Sequence, residues 1–222
     1  MSIELKKRIL TSLILLTFLY IMYFYKFVLL IGLVIFSTII WIEFVGLITK
    51  IIHFRKIKSY VIKFIYQFIC LSYLLFFSTV FWYAFTFELN KIFYLFILGI
   101  CIVTDIGGLV FGKFFKGKKL TKISPKKTVS GLIGSFIFAL TLMVIATLTN
   151  YISYENQLLV VTLIVSSASQ IGDLFISYLK RIAKVKDTGD LLPGHGGFLD
   201  RFDGILFGFP FGFLIATFLN LT

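Results

Sequence analysis

Asp200 and Asp203 stand three residues apart in PGHGGFLDRFDG (193–204). That spacing puts both carboxylates on one face if the stretch opens a helix, and it turns Arg201 to a different side. Carboxylates in an open arrangement suit Mg²⁺, which keeps waters and substrate phosphates among its ligands. The glycines of the same stretch let the backbone bend sharply and come close to a ligand. His195 has three roles open to it: binding phosphate, transferring a proton, or hydrogen bonding within the loop. On the residue alone, the last is the better reading.

A second polar segment, KFFKGKKLTKISPKKT (113–128), is rich in lysine. Gly112 and Gly117-Lys118 match the start of a phosphate-binding G-x-x-x-x-G-K-[ST] loop, but Lys119 stands where Ser or Thr is needed. The segment also follows an apolar run of helical length rather than a strand, so the P-loop reading is rejected. SPKKT reads instead as a turn at Pro125, then Lys126 and Lys127, then Thr128 or Ser130 capping the next helix. Two lysines beside capping hydroxyls and helix N–H groups can receive a phosphate. They serve equally well as a basic anchor at a membrane interface.

Behind these loops lie polar residues inside apolar runs. Ser166, Ser169, Gln170, Asp173, Ser177, Lys180 and Arg181 follow steps of three and four, so they form one stripe along a helix. Small polar residues alone pack helices together. A stripe that ends in Asp and then Lys-Arg leads from the membrane interior to water, as a site for an amphipathic substrate would. Asp105 lies in another apolar run, CIVTDIGGLVFGK. A carboxylate at such depth costs on the order of 3 kcal/mol on insertion scales and is tolerated mainly where it faces a polar cavity. Glu43 is a further intramembrane carboxylate, and pairing with a neighbouring helix is the expectation for it.

The elements that must position these residues are membrane helices. The chain is 59% hydrophobic and 14% charged over 222 residues, with a mean hydropathy of +1.01. A soluble class is excluded. Apolar runs long enough to cross a hydrocarbon core about 30 Å thick fall at about 9–25, 27–49, 64–87, 92–112, 129–149, 157–178 and 204–221. The expected fold is therefore an all-α, polytopic bundle of about seven transmembrane helices forming a single integral membrane domain. Its first hundred residues are lipid-embedded helices, and about 101–222 carry the catalytic helices and motif loops. The N-terminal apolar stretch is too long for a signal peptide and ends in Tyr and Phe, so it reads as a retained span. Cys70 and Cys101 lack any paired spacing and read as small buried hydrophobes.

Net charge is +12. With the N-terminus inside, segments 1–8, 50–63, 113–128 and 179–203 face the cytoplasm and hold 20 of the 22 Lys and Arg. That bias sets the orientation. Basic inner loops also attract anionic substrates without implying nucleic acid.

Taken in order, Ser177, Lys180-Arg181, Lys186-Asp187, Pro193, His195-Gly196-Gly197 and Asp200-Arg201-x-Asp203 resemble the signature of phosphatidate cytidylyltransferases. QIGDL (170–174) and ISPKKT (123–128) resemble further segments of that family, and the resemblance covers the chain from residue 101 onward. Two positions depart from the pattern: Ser130-Gly131 where many members have Glu-Gly, and Gly112-Lys113 where many have Gly-Arg.

The resemblance implies transfer of a cytidylyl group from CTP to phosphatidic acid at an inner, bacterial-type membrane, with the site facing the cytoplasm. It implies Mg²⁺, with a second metal ion as an option, and Asp173, Asp200 and Asp203 as ligands. It further implies catalytic roles for Lys180, Arg181 and His195. Substrate contacts would come from Asp105, Lys126, Lys127, Thr128, Ser177, Lys186, Asp187, Gly196, Gly197 and Arg201. Membrane lipids are partners, nucleic acid is not, and a homodimer is compatible with the sequence. The rivals are a CTP-dependent polyprenol or dolichol kinase and, from another class, an ion-coupled transporter with Asp105 and Asp173 on a cation path. A CDP-alcohol phosphotransferase fits worse, because its DG-x-x-AR opening is absent.

Overall fold

The computed structural model describes residues 17, 20–52, 57–87, 91–121, 124, 127–149, 155–189 and 196–221. Six long helices appear among them: α1 (Lys26–Ile51), α2 (Ile57–Thr86), α3 (Lys91–Phe115), α4 (Val129–Leu148), α5 (Glu155–Ile182) and α6 (Leu199–Phe218). Each is long and apolar enough to cross a membrane, as the hydropathy predicts. The described residues contain no strand, only one isolated bridge between Lys119 and Thr128. Most of the first expected span, 9–25, lies outside the described residues, although residues 20–24 are helical.

The chain divides into two compact units, each built from two stretches. One comprises Met1–Thr86 and Leu179–Arg201. Within it, α1 buries Leu33, Ile40 and Leu47, seven residues apart, and α2 answers with Leu74, Phe77 and Ala84. Phe36 stacks on Phe77, and the Ser37 and Ser78 hydroxyls share a hydrogen bond of 2.8 Å. The Tyr23–Phe85 ring pair runs the opposite way along the chain, so the two helices are antiparallel. The outward face of α2, including Tyr60, Phe64 and Phe68, is apolar and exposed, as a lipid-facing surface must be.

The other unit comprises Phe87–Tyr178 and Phe202–Thr222. Here α3 and α4 approach to backbone contact. A β-carbon on Gly107 would lie 2.5 Å from the Gly134 carbonyl oxygen, and one on Gly131 would lie 2.8 Å from that of Gly108. Lipid gives helices no hydrophobic reason to associate, so small residues and interhelical hydrogen bonds do the work. Thr104 supplies two such bonds, donating to Ser166 Oγ at 3.0 Å and accepting at its carbonyl from Ser135 Oγ at 2.8 Å. On α6, Gly208 and Gly212 lie against Cys101 and Ile97 of α3 and against Val165 of α5.

Helix ends differ from the hydropathy reading in an instructive way. α5 runs on to Ile182, and α6 begins at Leu199 rather than near 204, because local hydrogen bonds extend both helices into polar sequence. At the end of α5, Val185 N–H donates to Lys180 O and Lys184 N–H to Arg181 O, with Lys184 left-handed at φ 55°. This is a Schellman stop, built on lysine instead of glycine. α6 ends the same way on Asn220, whose φ is 54°.

Candidate active site

Chemistry-bearing side chains gather at one place in each unit. In the unit of α3–α6, the 116–128 connection folds back on itself. Leu120 N–H donates to Lys127 O at 2.8 Å, and Val129 N–H donates to Lys118 O at 2.9 Å. Thr128 caps α4, its Oγ1 accepting from Gly131 N–H at 3.1 Å and sharing a bond with Ser130 Oγ at 2.9 Å. The expected cap is therefore Thr128, with Ser130 backing it. Ser130 Oγ also accepts from Gly117 N–H at 3.3 Å, so this residue ties the loop to the helix start.

That fold-back delivers Lys127 to α5, where its ammonium forms an ion pair with Asp173. Ser177, one turn on, donates to Asp173 Oδ1 at 3.4 Å. Asp105 lies half-buried on α3. From α6, Asp203 is 5% exposed and its Oδ1 accepts from Gly204 N–H at 2.9 Å. Gly204 fits beside Asp105 and Ser169, since a β-carbon there would lie 2.5 Å from Ser169 Oγ and 3.3 Å from Asp105 Oδ2. Gly172 lies against the Asp203 carbonyl in the same manner. Small residues at these crossings let α3, α5 and α6 bring Asp105, Asp173 and Asp203 into one unit's polar interior.

In the unit of α1 and α2, the second cluster centres on Asp200, in the first turn of α6. Its Oδ1 accepts from Lys180 Nζ at 2.5 Å. Its Oδ2 accepts from Thr188 N–H at 2.8 Å, Thr188 Oγ1 at 3.1 Å and Gly197 N–H at 3.2 Å. Glu43 of α1, 4% exposed, accepts from Thr188 Oγ1, Phe198 N–H and Leu199 N–H, each at 2.8 Å. The expected partner for Glu43 was a neighbouring helix. Its partners prove to be a loop hydroxyl and the N–H groups where α6 starts, groups that have no acceptor inside the helix. Gly196 is left-handed at φ 82° and faces Asp187, a conformation only glycine adopts without strain.

The stripe on α5 resolves into two functions. Ser166 and Ser169 are fully buried among helices, while Ser177, Asp173 and Lys180 carry the polar and ionic contacts described above. Arg181, Lys186, Asp187 and Arg201 are exposed. Lys126, Pro193 and His195 lie outside the described residues. Thr188 was not singled out by sequence reasoning, and nothing in its neighbours marks it. Glu43 carried a signal, its charge within an apolar run, but not the identity of its partners.

Each cluster pairs a carboxylate able to hold a cation with an ammonium able to hold a phosphate. Among the described residues no three His, Cys, Asp or Glu side chains converge on one metal-sized point. A cation held by these carboxylates would complete its shell with water and phosphate oxygens, as Mg²⁺ does.

Comparison with known proteins gives a consistent picture. The model of the cytidylyltransferase family matches residues 2–219. A phosphatidate cytidylyltransferase of Rickettsia felis is 42% identical over 133 residues, covering 55% of this chain and 59% of that protein. The phosphatidate cytidylyltransferase of Bacillus subtilis is 46% identical over 129 residues, covering 55% of this chain and 48% of that protein. One from Staphylococcus saprophyticus is 41% identical, covering 53% and 46%. The matched stretch thus spans less than two thirds of the length of each of these relatives.

Proposed function

Starting from the chain's membership of the cytidylyltransferase family, we propose that it transfers the cytidylyl group of CTP to phosphatidic acid, yielding CDP-diacylglycerol and pyrophosphate. The observation that carries this reading is the placement of Lys127 on Asp173 among helices whose outer faces are apolar. A lipid substrate needs an apolar approach, and a nucleotide triphosphate needs fixed cations with carboxylates to hold its counter-ion.

In the reaction a phosphate oxygen of the lipid attacks the α-phosphorus of CTP. The new P–O bond forms as the bond from the α-phosphorus to the bridging oxygen breaks, and pyrophosphate leaves with that electron pair. The phosphate monoester is largely ionised at neutral pH, so no strong general base is required and His195 need not be one. Lys126, Lys127, Lys180, Arg181 and Arg201 are the cations proposed to contact phosphates and offset the developing charge, each within its own unit. Lys186 and Asp187, with the close backbone of Gly196 and Gly197, line the nucleotide's approach.

The carboxylates fit Mg²⁺ by their chemistry: Asp105 and Asp203 both approach Gly204, and Asp173 stands on the neighbouring helix with Lys127 as its ion-pair partner. Asp173 and Asp203 would hold the ion, with Asp105 beside them. Asp200, in the other unit, would hold a cation only by releasing Lys180 or the Thr188 and Gly197 donors. Mg²⁺ held there would supply positive charge that shields the phosphates. The positive-inside bias of the basic loops supports a site that faces the cytoplasm, where CTP is found.

The test is reconstitution with phosphatidic acid, Mg²⁺ and CTP labelled either in the base or in the γ-phosphate. Base label entering the lipid is the expected outcome. Lipid labelled only from the γ-phosphate would replace this reading with a lipid kinase.

A further inference from the structure

A carboxylate inside an apolar helix demands a reason, and Glu43 has one that lies 145 to 156 residues away. It stands eight residues before the end of α1 at Ile51, roughly 12 Å along the helix axis. Its three donors belong to the two ends of the 188–199 segment: Thr188 at one end, Phe198 and Leu199 at the other. Both of these ends therefore lie beside α1, at a level two turns inside its end. Non-helical backbone at such a level is tolerated only when its polar groups find partners in protein or in a water-filled cavity. Glu43 supplies those partners.

The fit is close on every side. A β-carbon on Gly189 would lie 2.7 Å from Glu43 Oε1, and one on Gly197 would lie 2.9 Å from Oε2. Phe198, whose N–H reaches Glu43, also sets its ring edge-on against Phe36, seven residues earlier on α1. The Thr188 hydroxyl has one hydrogen to give. Its shorter contact, 2.8 Å against 3.1 Å, goes to Glu43 rather than Asp200. Thr188 N–H is left to Asp200, so one residue links the two carboxylates. Negative charge at the start of α6 is favoured by the helix dipole as well.

We propose that Glu43 is a positioning residue for the proposed transfer reaction. From α1 it fastens the 188–199 segment and the first turn of α6, and through Thr188 and Gly197 it sets where Asp200 and its partner Lys180 stand. The proposal rests on the proposed function for its kinetic consequence, while its structural half is independent of any activity.

The experiment uses the full chain in nanodiscs and compares wild type, Glu43→Ala and Glu43→Gln. Backbone hydrogen exchange of peptides covering 196–201 is read against peptides from α3 and α4, and kcat and KM for CTP are read alongside. In Glu43→Ala, exchange rises at 196–201 and stays unchanged in α3 and α4. The kcat falls roughly 10–100-fold, the range seen when an outer partner of a site is lost, while KM for CTP changes less. Glu43→Gln, which keeps one acceptor oxygen, recovers part of both. Unchanged exchange at 196–201 in Glu43→Ala would refute the clamp. Raised exchange with wild-type kcat would refute the positioning role. If Glu43→Ala does not accumulate, Thr188→Val carries the test, because it removes one clamp bond and keeps the carboxylate. It should raise exchange at 196–201 and lower kcat, and failure of either overturns the corresponding half. A wild-type protein that clamps as described but transfers no cytidylyl group would count against the proposed function, not against the clamp.

Discussion

Asp173 and Asp203 differ in burial: Asp173 is half-buried and pairs with Lys127, and Asp203 is nearly sealed, with the Gly204 N–H among its partners. Asparagine at either position keeps the volume and removes the charge. Asp203→Asn is expected to lower cytidylyl transfer by about 10²–10³-fold, the size of loss found when one preorganised electrostatic contact is removed. Membrane protein levels should stay as in wild type. Near-normal activity in membranes supplied with phosphatidic acid, CTP and Mg²⁺ would remove Asp203 from the proposed site. Asp173 was legible in the sequence because a charge is costly within an apolar run, and Asp203 because it stands three residues from Asp200 in a glycine-rich polar stretch. The pairing of Lys127 with Asp173 was not, since forty-six positions separate them and lysine clusters also serve as plain interfacial anchors. Thr188 was invisible for a simpler reason: a threonine in a polar loop carries no mark of the two carboxylates it joins.

At the scale of elements, the governing feature is how close two helices come. α3 and α4 meet through Gly107, Gly108, Gly131 and Gly134, and Phe111 closes over Gly134 so tightly that a β-carbon there would lie 2.3 Å from the phenylalanine Cβ. Asp105 sits two residues before this crossing, so the crossing also fixes the acid's place. Gly134→Leu forces the helices apart and is expected to cost about 1–3 kcal/mol, as overpacking of a close-packed contact does. Thermal inactivation in detergent should shift down accordingly. Gly46 is the matching control, because nothing lies within 4 Å of a β-carbon added there, and Gly46→Ala should leave the inactivation temperature unchanged. Hydropathy located all six described helices but misjudged their polar ends. It sums transfer energies along the chain and is blind to the hydrogen bonds that carry α5 to Ile182 and start α6 at Leu199. Those ends hold Lys180 and Asp200, so the least legible boundaries were the ones that matter most to the candidate site.

For the molecule as a whole, charge sorting gives an expectation, open to test, for the side of the membrane that the polar loops face. Twenty of the 22 Lys and Arg fall in alternate connections, leaving Lys26 and Lys91 for the others. The described helices keep those connections intact: Lys116, Lys118 and Lys119 lie between α3 and α4, and Lys184 and Lys186 lie between α5 and α6. An orientation that placed these lysines outside would oppose both the positive-inside bias and the attraction of anionic lipid, worth about 1 kcal/mol for each basic residue near the surface. A cysteine probe makes the expectation measurable. With Cys70 and Cys101 replaced by alanine, Lys116→Cys and Lys184→Cys should resist a membrane-impermeant maleimide in intact cells and react once the membrane is opened. A cysteine at Lys91, the first residue of α3, should react in intact cells. The reverse pattern would put the polar loops away from cytoplasmic CTP. The proposed reaction would then lose its nucleotide supply, however well the carboxylates and lysines are arranged.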